Sequence, residues 1–238
     1  MKLKIKDAAE FQRLLHALAN ELVDARIHFR LYSDLATSVQ QYHSEFNQSG
    51  TFWSLTFQAH LDASILRLCK IYDKHSKTLN LQNLLDTIKS NISIFDEENF
   101  HERLKGNPFV DSLAADFRIP EKTQLAADRD YVSDTNPLVK NLTEWRNNFF
   151  AHRSARHIIT KKSLSQESPL TVEHVGELLA EGMKILNRYS SLFEASTYST
   201  QIVGHDDFQY VLESIRQRLA QREKQFQEEM KRWGTSAS

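Results

Sequence analysis

The side chains in this 238-residue chain best suited to chemistry lie in one stretch, Leu142-Thr-Glu-Trp-Arg-Asn-Asn-Phe-Phe-Ala-His152-Arg153. Arg146 brings a planar guanidinium that keeps its proton and presents donors in a fork suited to phosphate or carboxylate oxygens. His152 brings a side chain that ordinarily titrates near neutral pH, so it can take up and return a proton within one reaction. Asn147 and Asn148 add amide donors and acceptors beside them. Between Trp145 and Gln166 stand five cations, Arg146, Arg153, Arg156, Lys161 and Lys162, and no Asp or Glu. Such an uncompensated positive run is suited to phosphates.

Placed on a helical wheel at about 100° per residue, Arg146 falls in the middle of an apolar stripe. Val139 and Phe150 lie within about 40° on one side, and Leu142, Phe149, Leu138 and Trp145 follow on the other. A guanidinium on a buried face needs an acidic partner, a backbone site or an anionic ligand. Two readings follow: an internal ion pair, or a cleft that receives an anion. On the same ideal helix His152 stands about 120° from Arg146. The two can share one substrate only if the helix ends or kinks between them, or if a second copy of the chain completes the site.

The elements that position these residues are predicted to be helices throughout. Six Gly and four Pro are too few for a fold of short strands and tight hairpins. Phe11, Leu14, Leu15, Leu18, Leu22 and Ile27 recur at steps of three and four in a Gly-free and Pro-free run from Asp7 to Phe46. A straight helix of that length would span about 60 Å, so a bend or break is expected near Ser33-Asp34. A second helix is predicted from Thr51 to Tyr72 on Trp53, Phe57, Leu61, Ile65, Leu68 and Tyr72, and a third from Leu79 to Ile92. The periodicity then weakens from about 95 to 134, with a short helix expected from Asp96. Asn136-Pro137 is a start signal, Asn as N-cap and Pro in the first turn, for a helix reaching Arg153 or Arg156. After a polar connection, a long helix runs from Thr171 to Ser196 on Val175, Leu178, Leu179, Leu186, Tyr189 and Phe193. Gly204 breaks the chain and Asp206 or Asp207 caps a last helix. There Leu212, Ile215, Leu219, Arg222, Phe226, Glu229 and Trp233 alternate at steps of three and four, like a coiled-coil seam that turns polar. That helix either packs on its own bundle or pairs in a dimer.

Thirty Lys plus Arg against 31 Asp plus Glu leave a net charge of −1, which excludes a bulk polyanion binder. The single Cys69 excludes an intrachain disulfide and a multi-cysteine zinc site, and no uncharged apolar run reaches transmembrane length. The expectation is a cytoplasmic protein without a membrane partner, a signal peptide, a metal or a cofactor. His60-x-Asp62 and Asp73-x-His75 point to different sides of a helix, Glu98-x-x-His101 occurs once, and His205-Asp206 stands where a cap belongs. None makes a metal site by itself.

Trp145-Arg146-Asn147-Asn148-Phe149-Phe150-Ala151-His152 resembles the R-x(4–6)-H motif of the HEPN superfamily, with a polar residue directly after the arginine. Together with Tyr72-Asp73 and Leu81-Gln-Asn-Leu-Leu85, it is most similar to the AbiU-type abortive-infection branch, over residues 8 to 196. The resemblance implies an all-α, up-and-down helical bundle, expected over 1–200, and the long C-terminal helix over 205–238, for packing or dimerisation and with a short disordered tail, is read as an addition to it. It implies homodimerisation that brings two motifs into one cleft, and metal-independent RNA cleavage, or RNA binding alone, in phage defence or stress. His152 would move the proton as the ribose 2′-hydroxyl attacks phosphorus, leaving a 2′,3′-cyclic phosphate and a 5′-hydroxyl. Arg146 would stabilise the transition-state charge, and Asn147 would orient the histidine or the phosphate. Asn148, Arg153, Arg156, Lys161 and Lys162 are the nucleic-acid contacts expected beside them. An antitoxin or regulatory partner is open, although the position two after His152 is Ser154, where the toxin branch controlled by tyrosine modification has Tyr.

Overall fold

The computed structural model describes residues 3–114, 118–150, 159, 163–199, 201 and 203–235. The fold is all-α, with helices and no strand among the described residues. In chain order the α-helices are α1 (Ala8–Ser38), α2 (His43–Asn47), α3 (Gly50–Ile71), α4 (Leu81–Ser90), α5 (Glu97–Arg103), α6 (Val110–Ala114), α7 (Lys122–Tyr131), α8 (Pro137–Trp145), α9 (Leu164–Glu167), α10 (Val172–Glu194) and α11 (Phe208–Thr235). A 3-10 turn spans Ile92–Phe95, and a π-helical turn, Arg146–Phe150, continues α8. None of the described helices is long and apolar enough to cross a membrane.

The chain divides into two compact units, one of residues 1–26 and 63–201 and the other of 27–62 and 202–238. In the first, the stripe predicted for α10 is buried along its whole length, from Val175 to Phe193. Thr171 caps α10 by accepting from the His174 amide, and the His174 ring accepts from the Thr171 amide in return. At the other end Ala195 takes the left-handed conformation, φ 49°, and closes the helix. The rings of Phe11, Phe95 and Phe193 meet edge to face, 4.8 to 5.6 Å between centroids. Two guanidiniums lie over neighbouring rings, Arg103 on Phe193 and Arg118 on Phe100. Both donate to carbonyls in the last turn of α10, Arg103 to Phe193 and Arg118 to Ser191, whose carbonyl also accepts from the Ala195 amide. The buried Asp128 of α7 accepts from Arg188 and from the Tyr189 hydroxyl, holding α7 to α10. Gly182 lets α10 pass close to Tyr72: a Cβ there would stand 3.1 Å from the Tyr72 hydroxyl.

In the second unit Leu35, Tyr42, Phe46, Trp53 and Leu212 form the core, flanked by Leu31, Phe57 and Phe208. Arg216 of α11 lies over the Tyr42 ring and donates to Glu45 at 2.6 Å, and Tyr42 donates to Glu213 at 2.8 Å. The start of α11 is thereby held on α2.

Several sequence expectations need correction. The first helix does not break near Ser33-Asp34. It runs on to Ser38, with Ser33 and Ser38 donating to the carbonyls of Phe29 and Asp34 inside the helix, and the chain turns only at 39–42. Ile27 is exposed and leaves the buried stripe of α1, which ends at Ala25 within the first unit. Helix α7 was hidden because its sequence is polar, with Leu125 and Asp128 its buried residues. The connection after residue 160 contains the short helix α9. Helix α8 passes from α to π geometry after Trp145 and stays helical to Phe150, and its predicted end at Arg153 or Arg156 lies outside the described residues.

Candidate functional site

Asn136 opens α8 as predicted: its side-chain oxygen accepts from the Leu138 amide, and Pro137 fills the first helical position. Val139 and Leu142 are buried, as the wheel requires. The helix is further fastened by Trp145, whose indole donates to the Ser168 carbonyl at 2.7 Å, and by Asn141, which donates to Pro169 at 2.8 Å. Cys69 of α3 packs below, its Sγ 3.9 Å from the Leu142 carbonyl. Burial pushes that thiol up to about 12, so it stays protonated and unreactive.

At Arg146 the α-helical register gives way to the π turn. Past this point the wheel no longer applies, because a π turn closes its hydrogen bonds one residue later than an α turn. Two departures from the wheel are seen here. Phe149, assigned to the apolar stripe, is 52% exposed. Arg146, assigned to the buried face, keeps 34% of its side chain in solvent.

The guanidinium of Arg146 is clamped within its own chain. Its Nη1 donates to Asp73 Oδ1, and its Nε donates to Asn147 Oδ1 at 3.1 Å. Asp73 follows directly on α3 and is itself held from three sides. The Lys74 amide donates to its Oδ1 at 2.8 Å and the Thr78 hydroxyl to its Oδ2 at 3.1 Å. The loop carrying Thr78 is fixed in turn by Asn80, which caps α4, and by Asn83, which donates to the carbonyls of His75 and Thr78. Burial of Asp73 favours its neutral form, yet Arg146, the Lys74 amide and Thr78 outweigh it and hold the carboxyl below its usual range. Asp73 is therefore a fixed anion that holds Arg146 through its Nη1, with about a third of the arginine side chain left in solvent.

Asn147 is exposed and spends its oxygen on Arg146. Asn148 turns back on its own helix, donating to the Glu144 carbonyl and carboxylate, each at 2.9 Å. A cleft of about 260 Å³ lined by Lys74, Asp134, Lys140, Thr143 and Glu144 adjoins this segment. In it Lys74 pairs with Asp134 at 2.9 Å. The remaining predicted site residues, His152, Arg153, Arg156, Lys161 and Lys162, lie outside the described residues. Of the predicted set, Arg146, Asn147 and Asn148 are thus seen, and only the first two touch.

Asp73, Thr78, Lys74 and Lys140 were not legible as site residues. The Tyr72-Asp73 pair was one sequence signal, but nothing in the sequence brings residue 73 to residue 146. Among the described residues, no group of three or more potential metal ligands comes together. Asp73 is engaged by Arg146, the His60 ring faces His28 with 2.9 Å between their Nδ1 atoms, and His205 Nδ1 stands 2.5 Å from Asp34.

Comparison with known proteins supplies the family. No curated protein matches the chain, and no solved structure matches it. The HEPN-type AbiU2 family model matches residues 8–215, from the first turn of α1 into α11, well past residue 196. The chain belongs to the HEPN-type AbiU2 family.

Proposed function

We propose that the chain acts on RNA as a metal-independent endoribonuclease of the HEPN type, with Arg146 and His152 at its centre, in abortive infection or a related defence. The observation that carries this reading is Arg146 itself: a cation held by a fixed carboxylate, with 34% of its side chain still open to solvent. An open one can engage the two non-bridging oxygens of a phosphodiester.

In this reading His152 takes the proton from the ribose 2′-hydroxyl as its oxygen attacks phosphorus, and Arg146 offsets the charge that builds on the phosphorane oxygens. The bond to the 5′-oxygen breaks, that oxygen receives the proton, and a 2′,3′-cyclic phosphate remains. Asp73 is a positioning residue that acts through Arg146. Asn147 steadies the Nε edge of the guanidinium and leaves the opposite edge to Asp73 and the substrate. The half-exposed ring of Phe149 suits stacking by an unpaired base, and Arg153, Arg156, Lys161 and Lys162 supply phosphate contacts on one run of sequence. Two copies of the chain would bring two such motifs into one cleft, and an antitoxin or other regulator would act by covering it.

The test is incubation of the purified protein with mixed RNA in EDTA, beside Arg146→Ala and His152→Ala. The expected result is cleavage to 2′,3′-cyclic phosphate ends, slowed by about 10²-fold or more in each variant. Cleavage that survives both substitutions together, or that needs magnesium, overturns the mechanism. A second reading is favoured by the intrachain contact with Asp73: Arg146 as a structural ion pair in an inactive interaction protein. It predicts no cleavage by the unaltered chain and a loss of stability as the sole effect of Arg146→Ala.

A further inference from the structure

The second half of α11 presents a surface that its own unit leaves open. Leu212 is buried and Ile215 and Leu219 are half-buried, but every residue from Gln221 to Trp233 is exposed. This includes three large apolar side chains, Phe226 at 58%, Met230 at 57% and Trp233 at 78%. Phe226 and Trp233 continue the seam of Leu212 and Leu219 at seven-residue spacing, with Arg222 and Glu229 on the alternate line. Side chains at this spacing form a ridge that fits the holes of another helix, and a helix holding such a ridge in water calls for a partner.

We infer that the exposed half of α11 pairs with the same segment of a second copy of this chain, the two helices running antiparallel. The charges on the seam choose both the partner and the direction. In a parallel pair the same positions face each other, so Arg222 would meet Arg222 and Glu229 would meet Glu229, on either side of the Phe226 layer. In an antiparallel pair centred between Gln227 and Glu228, Arg222 of each copy lies beside Trp233 of the other and one turn from its Glu229. Each cation thus gains a ring face and a carboxylate, and the two-fold axis makes both gains twice. Phe226 of each copy then packs next to the centre. A surface that complements itself in this way needs no unlike partner. The pairing does not depend on the nuclease reading.

The test is a distance between copies in the full chain, read by electron spin dipolar coupling from labels at Gln225→Cys. Cys69 is buried and does not compete for the label. With helix axes 8–10 Å apart, paired copies place the labels roughly 15–20 Å from each other. Arg222→Glu or Glu229→Arg alone is expected to reduce the short-distance population by roughly tenfold, and the double exchange to restore it. No short distance in the unaltered seam at tens of micromolar overturns the pairing. So does a short distance that ignores the single exchanges, which is the signature of a parallel pair. RNA cleavage, measured on the same samples, reports on the proposed site separately.

Discussion

Helices α8 and α10 belong to the same unit and begin alike, each behind a side-chain cap, Asn136 in one and Thr171 in the other. They end differently. Every stripe residue of α10 is uncharged and buried, its one polar tip, the Tyr189 hydroxyl, donating to Asp128, and the helix keeps its register for 23 residues to a left-handed cap. The stripe of α8 meets a guanidinium at its tenth residue, and there the α register stops. A helix whose buried face carries no charge is stabilised along its length mainly by burial. One that carries a permanent cation on that face cannot close over it without a partner. Asp73, brought from the end of α3, provides that partner, and the helix turns Arg146 partly toward water.

The largest effect expected from this contrast is on the α10 side. Phe193→Ala removes a fully buried ring from the Phe11 and Phe95 cluster and strips Arg103 of its stacking partner. A loss of about 4 kcal/mol is expected, read as a fall in the denaturant midpoint. A loss below about 1 kcal/mol would show that α10 does not owe its regularity to this packing.

The start of α8 is worth less. Asn136→Ala leaves the Leu138 amide without its acceptor and is expected to cost about 1 kcal/mol. Hydrogen exchange should rise in the first turn of α8 and leave α10 unchanged. Equal loosening of both helices would mean that they are not separately supported.

The smallest effect on stability is expected at the Arg146 pair, because a third of the Arg146 side chain is exposed and water screens the pair. Its signature is in pH. The folded carboxyl of Asp73 is held below its usual range, so the pair contributes in full above the unfolded pKa of about 3.9 and is lost as pH falls through the lower folded value. A carbon NMR titration should therefore place the Asp73 midpoint below about 3.9, and Arg146→Ala should raise it. A normal midpoint in the unaltered chain would sever Asp73 from the site.

Much of this was legible in local sequence. The scarcity of Gly and Pro, the Asn136-Pro137 start, the Asp96 cap and the full stripe of α10 are determined by residues a turn or two apart, where side-chain periodicity and capping act. The R-x(5)-H wording singled out Arg146, and the charge problem it poses could be stated from the wheel. Its solution could not. Nothing in the chain between Asp73 and Arg146 states that they meet, any more than it states that Arg188 finds Asp128 while Arg103 and Arg118 find backbone carbonyls of α10. All four guanidiniums face the same demand, a partner for a charge that cannot be shed. Sequence sets the demand, since it is a property of the side chain. Tertiary structure alone decides which group answers it, how much water remains, and hence that Arg146 is held by a carboxylate and still open.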